Sequence, residues 1–205
     1  DMAYDDAGNS IQSTTRQRYH NAPAAQTGEL GSPSATPNAR VQYSASYPDA
    51  VGRMIASAEY GTNGGTALTR SATIPASSDT ILVSRQIYNN AGRLRDSIDP
   101  AGKISRTIYD AASRQTKTID NVVDPPASSS TGTSCTASDD QNQTVQFTYT
   151  PDGDLKTLTA VNASTGNQVT QYIYGTTLSD SAIASSQLLR REIYPDSTGT
   201  SDSVS

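Results

Sequence analysis

A short unit recurs along this chain: a tyrosine followed by a polar turn that closes on glycine. Tyr4-Asp5-Asp6-Ala7-Gly8, Tyr88-Asn89-Asn90-Ala91-Gly92 and Tyr149-Thr150-Pro151-Asp152-Gly153 share one spacing. Tyr109-Asp110-Ala111-Ala112-Ser113 repeats it with Ser in the glycine place. Tyr47-Pro48-Asp49-Ala50-Val51-Gly52 and Tyr194-Pro195-Asp196-Ser197-Thr198-Gly199 carry one extra residue. Arginine often follows, as at Arg53, Arg93 and Arg114. The clearest intervals are 21 residues from Tyr88 to Tyr109, 25 from Tyr149 to Tyr174 and 20 from Tyr174 to Tyr194. Such self-similarity means a small unit that cannot bury its own apolar face and is completed by its neighbours.

One interval shows what the unit is. Between Tyr88 and Tyr109 lies Asp99-Pro100-Ala101-Gly102-Lys103. Pro presets φ for the first central position of a type I turn, and Asp before it can bond the turn backbone. Gly102 in the left-handed region then completes a G1 bulge. The resulting three-residue hairpin loop sets Ile98 opposite Ile104, Asp96 opposite Arg106 and Leu94 opposite Ile108. Like side chains meet, and the charged pair is opposite in sign. The same construction at Thr150 to Asp154 pairs Tyr149 with Leu155 and Phe147 with Thr157. Each repeat therefore reads as two strands and two turns, with tyrosine at a strand end.

Composition favours sheet over a compact two-layer core. Leu, Ile, Val and Phe together number 31 of 205 residues, below the roughly 20% of chains that bury a sizeable interior. Net charge is only −5, so the chain lacks the charge excess of a disordered one. Eleven of its twelve aromatics are Tyr, which suits half-buried strand faces with a wet hydroxyl. Two Pro- and Gly-bearing stretches, residues 21–40 and 121–142, read as surface loops inserted between hairpins. The weak helical candidate from Ser179 to Arg191 places Ile183, Leu188 and Leu189 poorly for one stripe and reads as a loop leading into a strand. The expected fold class is all-β: serial antiparallel hairpins in an extended sheet, spanning residues 1–205 as one segment of a longer repeat array.

Several functions are disfavoured by the residues themselves. A pI near 4.7 and the lack of a basic run argue against nucleic acid. No apolar run approaches the length of a membrane helix, and no signal peptide opens the chain. No phosphate-binding loop, GxSxG or HExxH motif occurs. His20 reads as an exposed loop residue, and Cys135 as incidental, with an intermolecular crosslink the alternative. Asp5-Asp6 and Asp139-Asp140 are the best places for calcium, yet Asx bonding in turns accounts for them without a metal. Asn142-Gln143-Thr144 and Asn162-Ala163-Ser164 match the glycosylation pattern by chance expectation. No catalytic, cofactor or metal residues are expected.

Taken in series, these units resemble the YD repeats of RHS-type proteins. Tyr88 to Asp110 is the nearest match, and Tyr4 to Asn9 a second. The resemblance implies hairpins arrayed in a long sheet that spirals into a hollow shell. In bacterial members the shell encloses a toxic polypeptide; animal relatives are cell-surface adhesion proteins. The motif carries over as Tyr4, Asp5, Gly8, Tyr47, Gly52, Arg53, Tyr88, Gly92, Arg93, Asp99, Pro100, Gly102, Tyr109, Asp110, Tyr149, Gly153, Tyr174 and Tyr194. The Gly- and Pro-rich self-cleavage signature and the toxin domain are not in these residues. The expectation is a non-catalytic wall segment, extracellular or at the cell surface. Its partners are neighbouring repeats, or further copies through sheet edges, and an enclosed toxin polypeptide. The alternative is an extracellular filament or adhesin that binds a partner or carbohydrate.

Overall fold

The computed structural model describes residues 1–32, 34, 36–123, 140–175 and 187–195, and the backbone of 201–204. The chain is all-β and built of serial antiparallel hairpins, as the repeat predicts. It divides into two compact units, Asp1–Gly102 and Lys103–Ser205. The first holds β1 (Met2–Tyr4), β2 (Ser10–Arg18), β3 (Ala39–Pro48), β4 (Met54–Gly61), β5 (Leu82–Tyr88) and β6 (Leu94–Ile98). The second holds β7 (Ile104–Tyr109), β8 (Gln115–Asp120), β9 (Gln143–Tyr149), β10 (Leu155–Val161), β11 (Gln168–Tyr174), β12 (Leu189–Pro195) and β13 (Ser201–Val204). Within each unit every strand pairs antiparallel with the next in sequence. A short 3-10 turn spans Asn63–Gly65.

Strict alternation sorts the connections. In the first unit the turns 5–9, 49–53 and 89–93 lie at one rim of the sheet, and the connections 19–38 and 62–81 at the opposite rim. In the second unit 110–114 and 150–154 share one rim, and 121–142 and 162–167 the other.

The first unit has a true core. Along β3 every second residue, from Ala39 to Tyr47, is buried, as a period of two demands of one face. Alanines recur across the ladder and leave room for larger neighbours: Tyr47 faces Ala56, Ala45 faces Ala58, and Ala58 faces Val83. Sequence reasoning missed what covers this face. The connection 62–81, not among the two expected loops, lays Leu68, Ile74 and Ile81 against the cluster. Arg70 stacks on the Tyr47 ring at 4.4 Å and donates to the Ser46 carbonyl at 2.9 Å. Arg85 donates to the Pro75 carbonyl at 3.2 Å. A polar chain thus gains a core by folding a connection over its own sheet. In the second unit Ile119 is the fully buried large hydrophobe among the described residues.

The two expected loops are placed in part. β3 begins at Ala39, so the stretch 21–40 ends inside a strand. The stretch 121–142 runs between β8 and β9, and residues 124–139, with Cys135 and Asp139, lie outside the described residues. At its far end Asn142 is buried, and its Oδ1 accepts the Val123 N–H at 3.1 Å, so the asparagine of that glycosylation triplet is withdrawn from solvent. Residues 179–186 also lie outside the described residues, while Leu189–Pro195 is strand.

Candidate functional site

The repeat motif is a hairpin turn with one fixed hydrogen-bond pattern. At Asp49 the backbone N–H donates to the Arg53 carbonyl (2.8 Å), and the Gly52 N–H returns to the Asp49 carbonyl (2.9 Å). The same two bonds close the turns beginning at Asp5, Asn89, Asp110 and Thr150. This is a type I turn ending in a G1 bulge. Its fourth residue has positive φ in all five, from +71° at Ser113 to +98° at Gly153.

The first side chain saturates the turn. Asp49 Oδ1 accepts the N–H groups of Val51 (3.0 Å) and Arg53 (2.9 Å), while Oδ2 accepts Arg53 Nε–H at 2.7 Å. Asp110 holds Arg114 in the same manner, at 2.9 Å from its backbone N–H and 2.8 Å from Nε. In the first copy Asn9 stands in the arginine place and donates Nδ2–H to Asp5 Oδ2 at 2.9 Å. Asn89 accepts the N–H groups of Ala91 and Arg93, both at 3.0 Å, without carrying charge.

These bonds hold the carboxyls below their ordinary range. For Asp5 the Asn9 side chain is the main cause, and for Asp110 the Arg114 backbone N–H. Burial pushes Asp49 up, but its bonds to Arg53 and Val51 outweigh that and leave it lowered.

The held arginine then reaches the next unit of the array. Arg53 lies over the Tyr88 ring and Arg114 over the Tyr149 ring, each 4.6 Å from the centroid. The tyrosine answers with its hydroxyl. Tyr88 donates to the Met54 carbonyl (2.9 Å), Tyr149 to Gln115 (2.6 Å) and Tyr174 to Leu155 (2.8 Å). Each acceptor is the residue just after the turn of the preceding hairpin. Adjacent turns also touch: a Cβ at Gly52 would stand 3.1 Å from Asn9 Oδ1, and one at Gly92 would stand 3.5 Å from Arg53. The motif is a ladder of Asp–Arg pairs and Tyr rings running along one rim of each unit.

Register places the individual residues. Tyr4 pairs with Ser10, Tyr88 with Leu94, Tyr109 with Gln115 and Tyr149 with Leu155, always six residues across the turn. Pro48 pairs with Met54 in that position, so Tyr47 is one residue out of step. Its side chain enters the core instead, with its hydroxyl 3.4 Å from that of Tyr60. The apparent extra residue is thus no insertion in the turn. Burial, and then the Tyr60 hydroxyl, push the Tyr47 hydroxyl up to about 12. Tyr194 ends β12, which runs back from Tyr174, and so lies at the rim opposite the ladder. Residues Asp196 to Gly199 lie outside the described residues.

The turn at Asp99 shares one of these bonds and the positive φ: Gly102, at +85°, donates to the Asp99 carbonyl at 2.9 Å. The Pro100 carbonyl accepts the Ser77 hydroxyl at 2.9 Å. Its two flanking strands, β6 and β7, belong one to each unit. At Thr150 the expected Tyr149–Leu155 pair is present, but Thr157 faces Thr148 and Leu158 faces Phe147. A bulge between Leu155 and Thr157 shifts the register by one. The carbonyls of Met54, Gln115 and Leu155 carry no sequence signal, since every residue has a backbone carbonyl.

No family model and no curated relative matches the chain. Among solved structures, a crystal structure of TcdB2-TccC3-Cdc42 is similar over 96% of this chain and 8% of its own length, at 13% identity and a TM-score of 0.47. The crystal structure of TcdB2-TccC3 without its hypervariable C-terminal region is similar over 97% of this chain and 10% of its own, at 13% identity and a TM-score of 0.49. The chain thus spans about a tenth or less of the structures it matches.

Proposed function

We propose that the chain is a non-catalytic wall segment of a secreted or cell-surface YD-repeat shell, of the kind that encloses a toxic polypeptide. The observation that carries this is the ladder. The hairpins turning at Asp49 and Asp110 each supply an arginine to a ring beyond them, and a backbone carbonyl to that ring's hydroxyl. Such a unit extends by adding hairpins and gains nothing from closing on itself, which is the property a wall needs. The ladder carboxylates also suit scaffold better than catalysis. Asp49 and Asp110 are held ionised by donors on both oxygens, whereas a general acid or base requires a free, tuned group.

The test uses the longer chain that carries this segment, produced with any polypeptide it encloses. Under native conditions the enclosed polypeptide is expected to resist protease, and to become sensitive once urea opens the sheet. Cleavage of that polypeptide as fast in the intact particle as in urea would count against a shell. Filaments in micrographs of the same sample would favour an extracellular filament or adhesin. Recovery of the native protein solely from the cell interior would remove the proposed location.

A further inference from the structure

Two asparagine triplets of this chain match the pattern for N-linked glycosylation, and the fold treats them oppositely. Asn142 is buried, with Oδ1 committed to the Val123 N–H. Asn162-Ala163-Ser164 instead opens the 162–167 turn, at the rim opposite the ladder. Every residue from Asn162 to Gln168 is exposed. Asn162 Oδ1 accepts the Ser164 N–H at 2.9 Å and the Thr165 N–H at 3.0 Å. Its backbone is pinned as well: its N–H donates to Asn167 Oδ1, and its carbonyl accepts the Gly166 N–H, each at 3.1 Å. Asn162 Nδ2 donates to no described residue. The turn also borders a recess of about 340 Å³, where Asp120, Gln143 and Gln168 stand beside Val145 and Ala160.

We infer that Asn162 is an acceptor for an N-linked sugar and that Asn142 is not. An amide nitrogen is a poor nucleophile because its lone pair is shared with the carbonyl. Two N–H donors on Oδ1 favour charge drawn onto that oxygen, which eases loss of a proton from Nδ2. The co-reactants are a sugar diphosphate donor and a glycosyltransferase. Nδ2 attacks the anomeric carbon, the carbon–oxygen bond to the diphosphate breaks, and the diphosphate leaves with the bonding pair. One Nδ2 proton passes to a carboxylate of the transferase, and the other stays on the nitrogen of the new C–N bond. The recess offers the first sugar ring a carboxylate and two amides as hydrogen-bond partners. Bulk at this turn spares the ladder of Asp–Arg pairs and Tyr rings, because the two lie at opposite rims.

The longer chain that carries this segment is purified from the cells that make it and digested with trypsin. Cleavage at Lys117, Lys156 and Arg190 places Asn142 on the peptide 118–156 and Asn162 on the peptide 157–190. Fragmentation by electron transfer, which leaves glycosidic bonds intact, assigns any added sugar mass to a residue. Sugar is expected on Asn162 and not on Asn142. Ser164→Ala, which keeps Asn162 itself, is expected to abolish it, and Ser164→Thr to retain it. A lone hexose on Asn162 marks a nucleotide-bound donor, and an oligosaccharide a lipid-linked one. A bare Asn162, or equal occupancy of both asparagines, would overturn the inference. So would sugar that persists on Asn162 in the Ser164→Ala chain. The result is separate from the protease test of the wall, since a sugar at this rim requires neither an enclosed polypeptide nor a closed array.

Discussion

Gly52 and Gly102 form a matched pair that separates backbone conformation from close approach. Both hold the fourth turn position, with φ of +82° and +85°. A side chain at Gly102 would meet nothing within 4 Å, whereas at Gly52 it would stand 3.1 Å from Asn9 Oδ1. Alanine at either site pays for the left-handed region, about 1–2 kcal/mol. Reduced freedom of the unfolded chain offsets this by about 0.4–1 kcal/mol. Gly102→Ala should therefore cost on the order of 1 kcal/mol or less. Gly52→Ala must also displace the Asn9 side-chain amide, whose Nδ2–H donates to Asp5 Oδ2. That overpacking adds about 1 kcal/mol. Both costs are read from urea transitions as a shift of midpoint at constant slope. In an Asn9→Ala background the cost of Gly52→Ala should fall to that of Gly102→Ala. Equal costs at the two sites, or a Gly52→Ala cost unchanged by Asn9→Ala, would show that turn-to-turn contact is not what glycine permits there.

The arginine–ring contact should give a coupling of about 0.5–1 kcal/mol in a double-mutant cycle of Arg114→Gln with Tyr149→Leu, and additivity would remove it from the ladder. Ser113 takes the glycine place with φ +71°; Ser113→Gly should stabilise by about 0.5–1 kcal/mol in urea melts, relieving the left-handed strain at some cost in unfolded-chain entropy. Acid should weaken the ladder. Asp5, Asp49 and Asp110 sit below their ordinary value of 3.8 in the folded chain. Their contribution is therefore complete above that value and is lost as pH falls through the lowered ones; urea midpoints in Asp110→Asn should fall less steeply with acid than in the parent. At the other extreme Tyr47 rises from 10.0 to about 12. Its contribution is complete below 10.0 and is lost as pH climbs towards 12; the tyrosinate absorbance titration should lose its latest component in Tyr47→Phe.

What the sequence made legible was local chemistry. Asp99-Pro100-Ala101-Gly102 announces its turn because Pro and Gly restrict φ residue by residue, and the structure places that turn as expected. Tyr149 opposite Leu155 follows from the same rule. Two residues further on the rule fails, since a bulge carries no compositional mark and each one inverts which side chains face each other. Tyr47 shows the same limit. Pro48 holds the register position, and a tyrosine one step earlier points to the other face. The covering connection 62–81 was illegible for a different reason. Its Leu68, Ile74 and Ile81 follow no period, because a segment without secondary structure has none to follow.

Contacts that pass from turn to turn confine one rim of each unit to a fixed pitch, like the toothed side of a rack. An added residue there would carry an arginine away from a ring 4.6 Å off, and the error would pass to the next tooth. The opposite rim has no teeth. In the first unit it already holds connections as long as 19–38 and 62–81, and strand register runs on unaltered past both. New length at that rim costs little more than loop closure, about 0.6 kcal/mol for each doubling. Foreign sequence should therefore be accepted between Ala163 and Gly166, in the short turn of the second unit's smooth rim, where the toothed rim would refuse it. Continuity and novelty are thereby assigned to different sides of one sheet.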